Sequence, residues 1–62
     1  MQSIGENVEV EVRDGKAVIT IDLSHRGPVS PSGKTRRVAS TLGNVQIVGT
    51  EVTLGLNAYV KA

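Results

Sequence analysis

The chain contains no cysteine, tryptophan or phenylalanine, and only one tyrosine and one histidine. Without cysteine, disulfides and thiolate metal sites are excluded. A lone histidine, His25, cannot build a histidine-rich metal cluster, so no cofactor is expected. Tyr59 is the only aromatic residue, so the interior must come from Val, Ile, Leu and Ala, each filling less volume than a ring. No stretch approaches the ~20 apolar residues of a membrane span, and no membrane partner is expected. Residues Met1 to Glu6 lack the basic and then apolar pattern of a secretory signal. Together with the missing cysteine, this sets a cytoplasmic location as the expectation.

The chain of 62 residues is one domain at most. A domain of that size buries only ~60% of the surface its unfolded chain exposes. With neither disulfide nor metal available, close packing or a partner subunit has to supply stability. A homo-oligomer, first of all a dimer, is the expectation. An efficiently packed aliphatic monomer is the alternative.

What is present is β-patterned. Val8, Val10 and Val12 alternate with Glu9, Glu11 and Arg13, and Ala17, Ile19, Ile21 and Leu23 continue the alternation beyond Asp14-Gly15. Asp-Gly suits the two-residue hairpin turn, which needs positive φ at both central positions. Residues 6–23 therefore form an N-terminal hairpin. At the other end, Val52, Leu54, Leu56, Ala58 and Val60 make an apolar stripe along a predicted long strand. Gly55 in its middle marks a bulge, a bend or a close backbone approach. Residues 34–42 fit a strand better than a short helix, because Thr35, Val38 and Thr41 are β-branched. Leu42-Gly43-Asn44 and Gly49-Thr50 are turns. The whole is an all-β domain of four to five mostly antiparallel strands: a compact sheet, a sandwich or a small barrel.

The stretch Gly27-Pro-Val-Ser-Pro-Ser-Gly-Lys-Thr35 imitates a phosphate-binding loop. The G-x-x-x-x-G-K-[ST] form requires glycine five places before Gly33, and that position is Pro28. Pro28 and Pro31 also remove two of the N–H donors such a cradle would use. The acid on a second strand and the large α/β fold of nucleotide hydrolases have no room here. A turn leading into a strand is the better reading. Residues 24–33 as a whole form a long irregular connection, functional or merely flexible.

Charge is uneven. Residues 1–22 carry five acids against two bases, and residues 23–50 carry Arg26, Lys34, Arg36 and Arg37 with no acid. Arginine forks match phosphate oxygens, and lysine adds a point charge. This points to a small nucleic-acid or other polyanion binder using Arg26, Lys34, Arg36 and Arg37. Tyr59 is its one aromatic, and it lies on the non-core face of the last strand. Tyr59 and Asn57 either form a polar face with Arg36 or Arg37 across the sheet or simply meet solvent. The competing reading is a structural or protein-interaction module that self-associates through strand edges. In that case the acidic hairpin and basic middle attract one another.

Catalysis finds little support. His25 is the only neutral-pH base, and Ser24 beside it in sequence does not thereby align with the ring. Glu9 and Glu11 project together from one strand, as an edge-protecting face would. No enzyme activity and no small-molecule substrate are expected.

Taken together, D-L-S at residues 22–24, S-P-S-G-K-T, V-A-S-T-L-G-N and G-L-N-A-Y-V-K give the chain a group resemblance. It resembles small uncharacterised prokaryotic proteins in which S-G-K-T, A-S-T-x-G-N and G-L-N-x-Y follow an N-terminal hairpin. The resemblance covers about two thirds of the chain, residues 22–61. It implies an all-β fold and no particular activity. Arg36-Arg37 occupies a place where that pattern carries apolar residues.

Overall fold

The computed structural model describes residues 1–62. It is all-β, without helix, and its strands do not close into a barrel. Seven strands run in chain order: β1 (Gln2–Gly5), β2 (Val8–Arg13), β3 (Lys16–Thr20), β4 (Thr35–Ser40), β5 (Val45–Gln46), β6 (Thr53–Leu54) and β7 (Asn57–Lys61). They pair antiparallel as β1-β2-β3, β4-β7 and β5-β6. The count exceeds five because β5 and β6 are two-residue pieces and β1 has no alternating stripe to announce it.

The predicted hairpin is present. β2 and β3 pair without interruption from Glu9–Thr20 to Arg13–Lys16. Between them Asp14 and Gly15 both have positive φ, 52° and 75°, as the two-residue turn demands. Val8 and Val10 are buried in the core with Ile4, Ala39 and Ile47. The stripe is not buried along its whole length, however. Val12 near the turn is 47% exposed and Leu23 beyond β3 is 73% exposed. The second layer covers only the middle of the hairpin, so alternation set the face but not the extent of burial.

The predicted last strand is split. Backbone pairing breaks at Gly55-Leu56, leaving β6 and β7. Gly55 marks a close approach, since a Cβ there would lie 2.7 Å from the Asn44 side-chain oxygen. Residues 34–42 are strand through Ser40 and then turn, with Leu42 and Gly43 both at positive φ.

The A-S-T-L-G-N and G-L-N-A-Y stretches meet here. The Ser40 hydroxyl donates to Asn57 Oδ1 (2.8 Å) and accepts the Leu42 N–H (2.9 Å). The Thr41 hydroxyl donates to the Gly43 carbonyl (2.6 Å) and accepts the Leu56 N–H (3.0 Å). Ser40 and Thr41 are buried, and these bonds satisfy their hydroxyls.

Glu6 and Asn7 join the N-terminal sheet to β4. Glu6 and Ser40 exchange both backbone hydrogen bonds (2.8 and 3.0 Å). The Asn7 side-chain amide donates to the carbonyls of Asp22 (2.8 Å) and Val38 (2.9 Å), and its oxygen accepts the Asp22 N–H (3.2 Å). Asn7 has φ 58°, a left-handed conformation that asparagine tolerates better than most residues.

Candidate nucleic-acid interface

Residues 27–35 form a second, irregular hairpin. The Gly27 N–H donates to the Arg37 carbonyl (2.7 Å) and the Arg37 N–H to the Pro28 carbonyl (3.2 Å). Val29 bridges Arg36, and the Ser30 N–H donates to the Thr35 carbonyl (2.8 Å). Pro31 and Ser32 make the turn, closed by the Gly33 N–H on the Ser30 carbonyl (2.9 Å), and Gly33 has φ 74°. Pro31 sits at the first central position of a turn, where no ladder donor is required, while Pro28 faces β4 through its carbonyl and the Gly27 N–H supplies the donor that its nitrogen lacks. Half of the connection expected to be irregular is thus an edge laid on β4.

Strand β4 lies between this edge and β7. Across it Arg37 stands opposite Tyr59, Thr35 opposite Lys61 and Arg36 opposite Val60. Residues directly opposite share a face, so Thr35, Arg37 and Tyr59 line one side and Arg36 and Val60 the other. On the first side lies a groove of about 380 Å³, whose walls include Pro28, Pro31, Thr35, Arg37, Asn57 and Tyr59. Tyr59 is 67% exposed there.

One carboxylate positions the arginine. Glu6 Oε1 accepts from Arg37 Nη1 (2.7 Å), and Oε2 accepts from His25 Nε2 (3.1 Å). The His25 hydrogen bond, and then that of Arg37, hold the Glu6 carboxyl below its ordinary value despite partial burial. Gly27 makes room for this cluster, because a Cβ there would collide with Glu6 Oε2. The Arg37 side chain keeps 37% exposure, and its remaining N–H donors are available to a ligand.

The five residues singled out from the sequence are therefore divided. Arg37 and Tyr59 come together in the groove. Lys34 is exposed in the turn at the end of that hairpin, where its carbonyl accepts the Ala62 N–H (3.0 Å). Arg26 and Arg36 share a different depression, of about 300 Å³, beside Val60. The Arg26 Nη1 donates to the carbonyls of Leu23 and His25, both 2.9 Å away. Counting charge along the chain could not see that adjacent arginines on a strand face opposite ways. It also missed Glu6 as the residue that orients Arg37, and Lys61, which lines the depression with Arg26 and Arg36. Period-two alternation could have supplied the first point. The second needs the fold, since Glu6 is 31 residues from Arg37.

No helix is long and apolar enough to cross a membrane. Comparison with protein-family models, curated proteins and solved structures gave no match for this chain.

Proposed function

We propose that the protein is a small, non-catalytic nucleic-acid-binding protein that takes a single strand along the β4–β7 groove. The observation that supports this is the cross-strand pair of Arg37 and Tyr59, an exposed ring beside a pre-oriented guanidinium. A base stacks on Tyr59 while Arg37 meets the adjacent phosphate. Thr35 and Asn57 offer hydrogen bonds in the same groove. Lys34 adds positive charge at its end, and Arg26, Arg36 and Lys61 raise the potential from the reverse side. With one aromatic residue, stacking holds one base and the remaining affinity comes from backbone charge.

Titration of single- and double-stranded oligonucleotides at low and moderate salt tests this. Single strands should bind more tightly, with affinity falling steeply as salt rises. Tyr59→Ala should weaken binding about tenfold or more, in line with ~1–3 kcal/mol per stacked base. Replacing Arg36 and Arg37 with Ala should flatten the salt slope. Absence of binding at low salt rules the reading out.

A further inference from the structure

The outer edge of β3 plays no part in nucleic-acid binding. β3 is the last strand of the N-terminal sheet and hydrogen-bonds to β2 alone. Exposed edges are usually blunted by proline, a bulge or charge. β3 has no proline, its pairing is regular, and Lys16 is its only charge.

The hairpin decides which backbone groups face outward. In a two-residue hairpin the flanking pair, here Arg13 and Lys16, exchanges both hydrogen bonds. Alternate positions follow suit, so Val18 and Thr20 turn their backbone groups toward β2. Ala17 and Ile19 turn theirs toward the open edge.

We propose that this edge is a self-association surface on which a second copy of the chain pairs its own β3, antiparallel about Val18. This is the register that overlaps all five residues of β3. Ala17 of one copy then exchanges backbone bonds with Ile19 of the other, and the reverse, for about four new hydrogen bonds. Val18, 45% exposed in the single chain, faces its own twin in the closer, non-hydrogen-bonded kind of pair. Lys16 falls opposite Thr20, so no like charges oppose each other along the seam. The nearest acid on that face, Glu11, is already ion-paired to Arg13 of its own chain.

Two further observations favour a second copy over an unrelated partner. The register is self-complementary, which is what a two-fold interface requires. The single chain is also a slab of 39 × 20 × 13 Å with a radius of gyration of 12.6 Å. A compact domain of this length would have about 10.6 Å. Beside the edge opens a depression of about 300 Å³ with Val12, Ala17, Ile47 and Val52 in its wall. Joining two copies makes one six-stranded sheet and lengthens this apolar layer. The grooves at β4–β7 take no part in the seam.

Because the chain has no cysteine, a thiol placed on β3 can only cross-link between copies. Val18→Cys should oxidise to a covalent dimer under mild air oxidation, since the paired Cα atoms lie within disulfide reach. Thr20→Cys, on the same face but opposite Lys16 of the other copy, should remain single. By sedimentation the unmodified protein should be dimeric, and Val18→Lys should weaken the dimer at least tenfold while leaving the β circular-dichroism spectrum intact. A monomeric unmodified protein overturns the proposal. So does equal cross-linking at positions 18 and 20, or a dimer indifferent to Val18→Lys, which would place self-association on another edge.

Discussion

The N-terminal sheet and the β4–β7 ribbon solve the same problem by different means. In the N-terminal sheet aliphatic side chains alternate inward, one two-residue turn sets the β2–β3 register and that ladder runs unbroken, the one slip lying at its edge between Ser3 and Gly5 of β1. In the ribbon the ladder slips between Arg37 and Ala39, and the strand before β7 stops at Gly55. Side chains close the backbone gaps that result: Ser40 on Leu42, Thr41 on Leu56 and Gly43, Thr50 on Ile47 and Val52. A regular sheet satisfies its own polar groups. An irregular one must recruit hydroxyls and amides, because a buried donor without a partner costs about 1–3 kcal/mol. The ribbon's irregularity comes with a groove that sets an exposed tyrosine beside an arginine, a pairing the N-terminal sheet does not offer.

The comparison can be broken most severely at the seam between the two regions. Gly5 lies against β4, where an added Cβ would strike the Ser40 carbonyl and come within 2.7 Å of the Thr41 Cα. Both are backbone atoms and cannot rotate away. Gly5→Val should cost about 3 kcal/mol or more, the upper range for overpacking, and leave much of a domain this small unfolded. Chemical denaturation followed by circular dichroism reads this directly. Val8→Ala comes next. Val8 is completely buried and is the largest side chain that is so. Its truncation should cost about 2 kcal/mol through lost contacts and a residual cavity, and should lower the urea midpoint with little change of slope.

Thr41→Val sharpens the comparison from the other side, since it keeps shape and removes the hydroxyl. The Leu56 N–H and the Gly43 carbonyl then lose a partner, and stability should fall by about 1–2 kcal/mol. Hydrogen exchange should show faster opening at Leu56 than within β2–β3. Uniform protection across both regions would mean that the clamp is dispensable.

How far the sequence foretells this molecule follows the same division. The β2–β3 hairpin was legible because period two and Asp14-Gly15 are local signals. So were strand character at Thr35–Ser40 and the turns at Leu42-Gly43 and Gly49. The limits of burial were not, because Val12 and Val8 sit in the same pattern and differ only in what covers them. The break at Gly55 was visible as a glycine, but the Asn44 side chain that lies against it comes from across a turn. At the candidate site, Arg37 and Tyr59 were recognisable as residue types. Their pairing, and the separation of Arg36 from Arg37, depend on a register that composition does not contain. Glu6 had looked like one more charge of an acidic hairpin. It is instead the residue where the two regions meet.

The smallest expected effect also tests that meeting point. In the folded chain the Glu6 carboxyl is held below its ordinary value by His25 and then by Arg37. Asp22 is likewise lowered by the Ser24 hydroxyl and then by the Ser24 N–H. A lowered carboxyl binds its proton more weakly in the folded than in the unfolded state. Its contribution is therefore complete above the ordinary carboxylate value and is lost as pH falls through the lowered folded value. Stability should decline on acidification from about pH 5.5 downward, about one unit above the ordinary glutamate value, where unfolded glutamate begins to take up protons. Glu6→Gln should flatten the upper part of that decline, and Asp22→Asn the part just below it. Both sites are solvent-accessible, so the change in acid midpoint should be modest. In Glu6→Gln, Arg37 also loses its ion pair, and the groove gains one unit of net positive charge at neutral pH. If Arg37 serves the proposed ligand, oligonucleotide affinity in this variant should rise at low salt and become more salt-sensitive, while Arg37→Ala moves both the other way. Acid denaturation and salt titration of Glu6→Gln thus read one carboxylate in its two roles, as a join between the regions and as the support of Arg37.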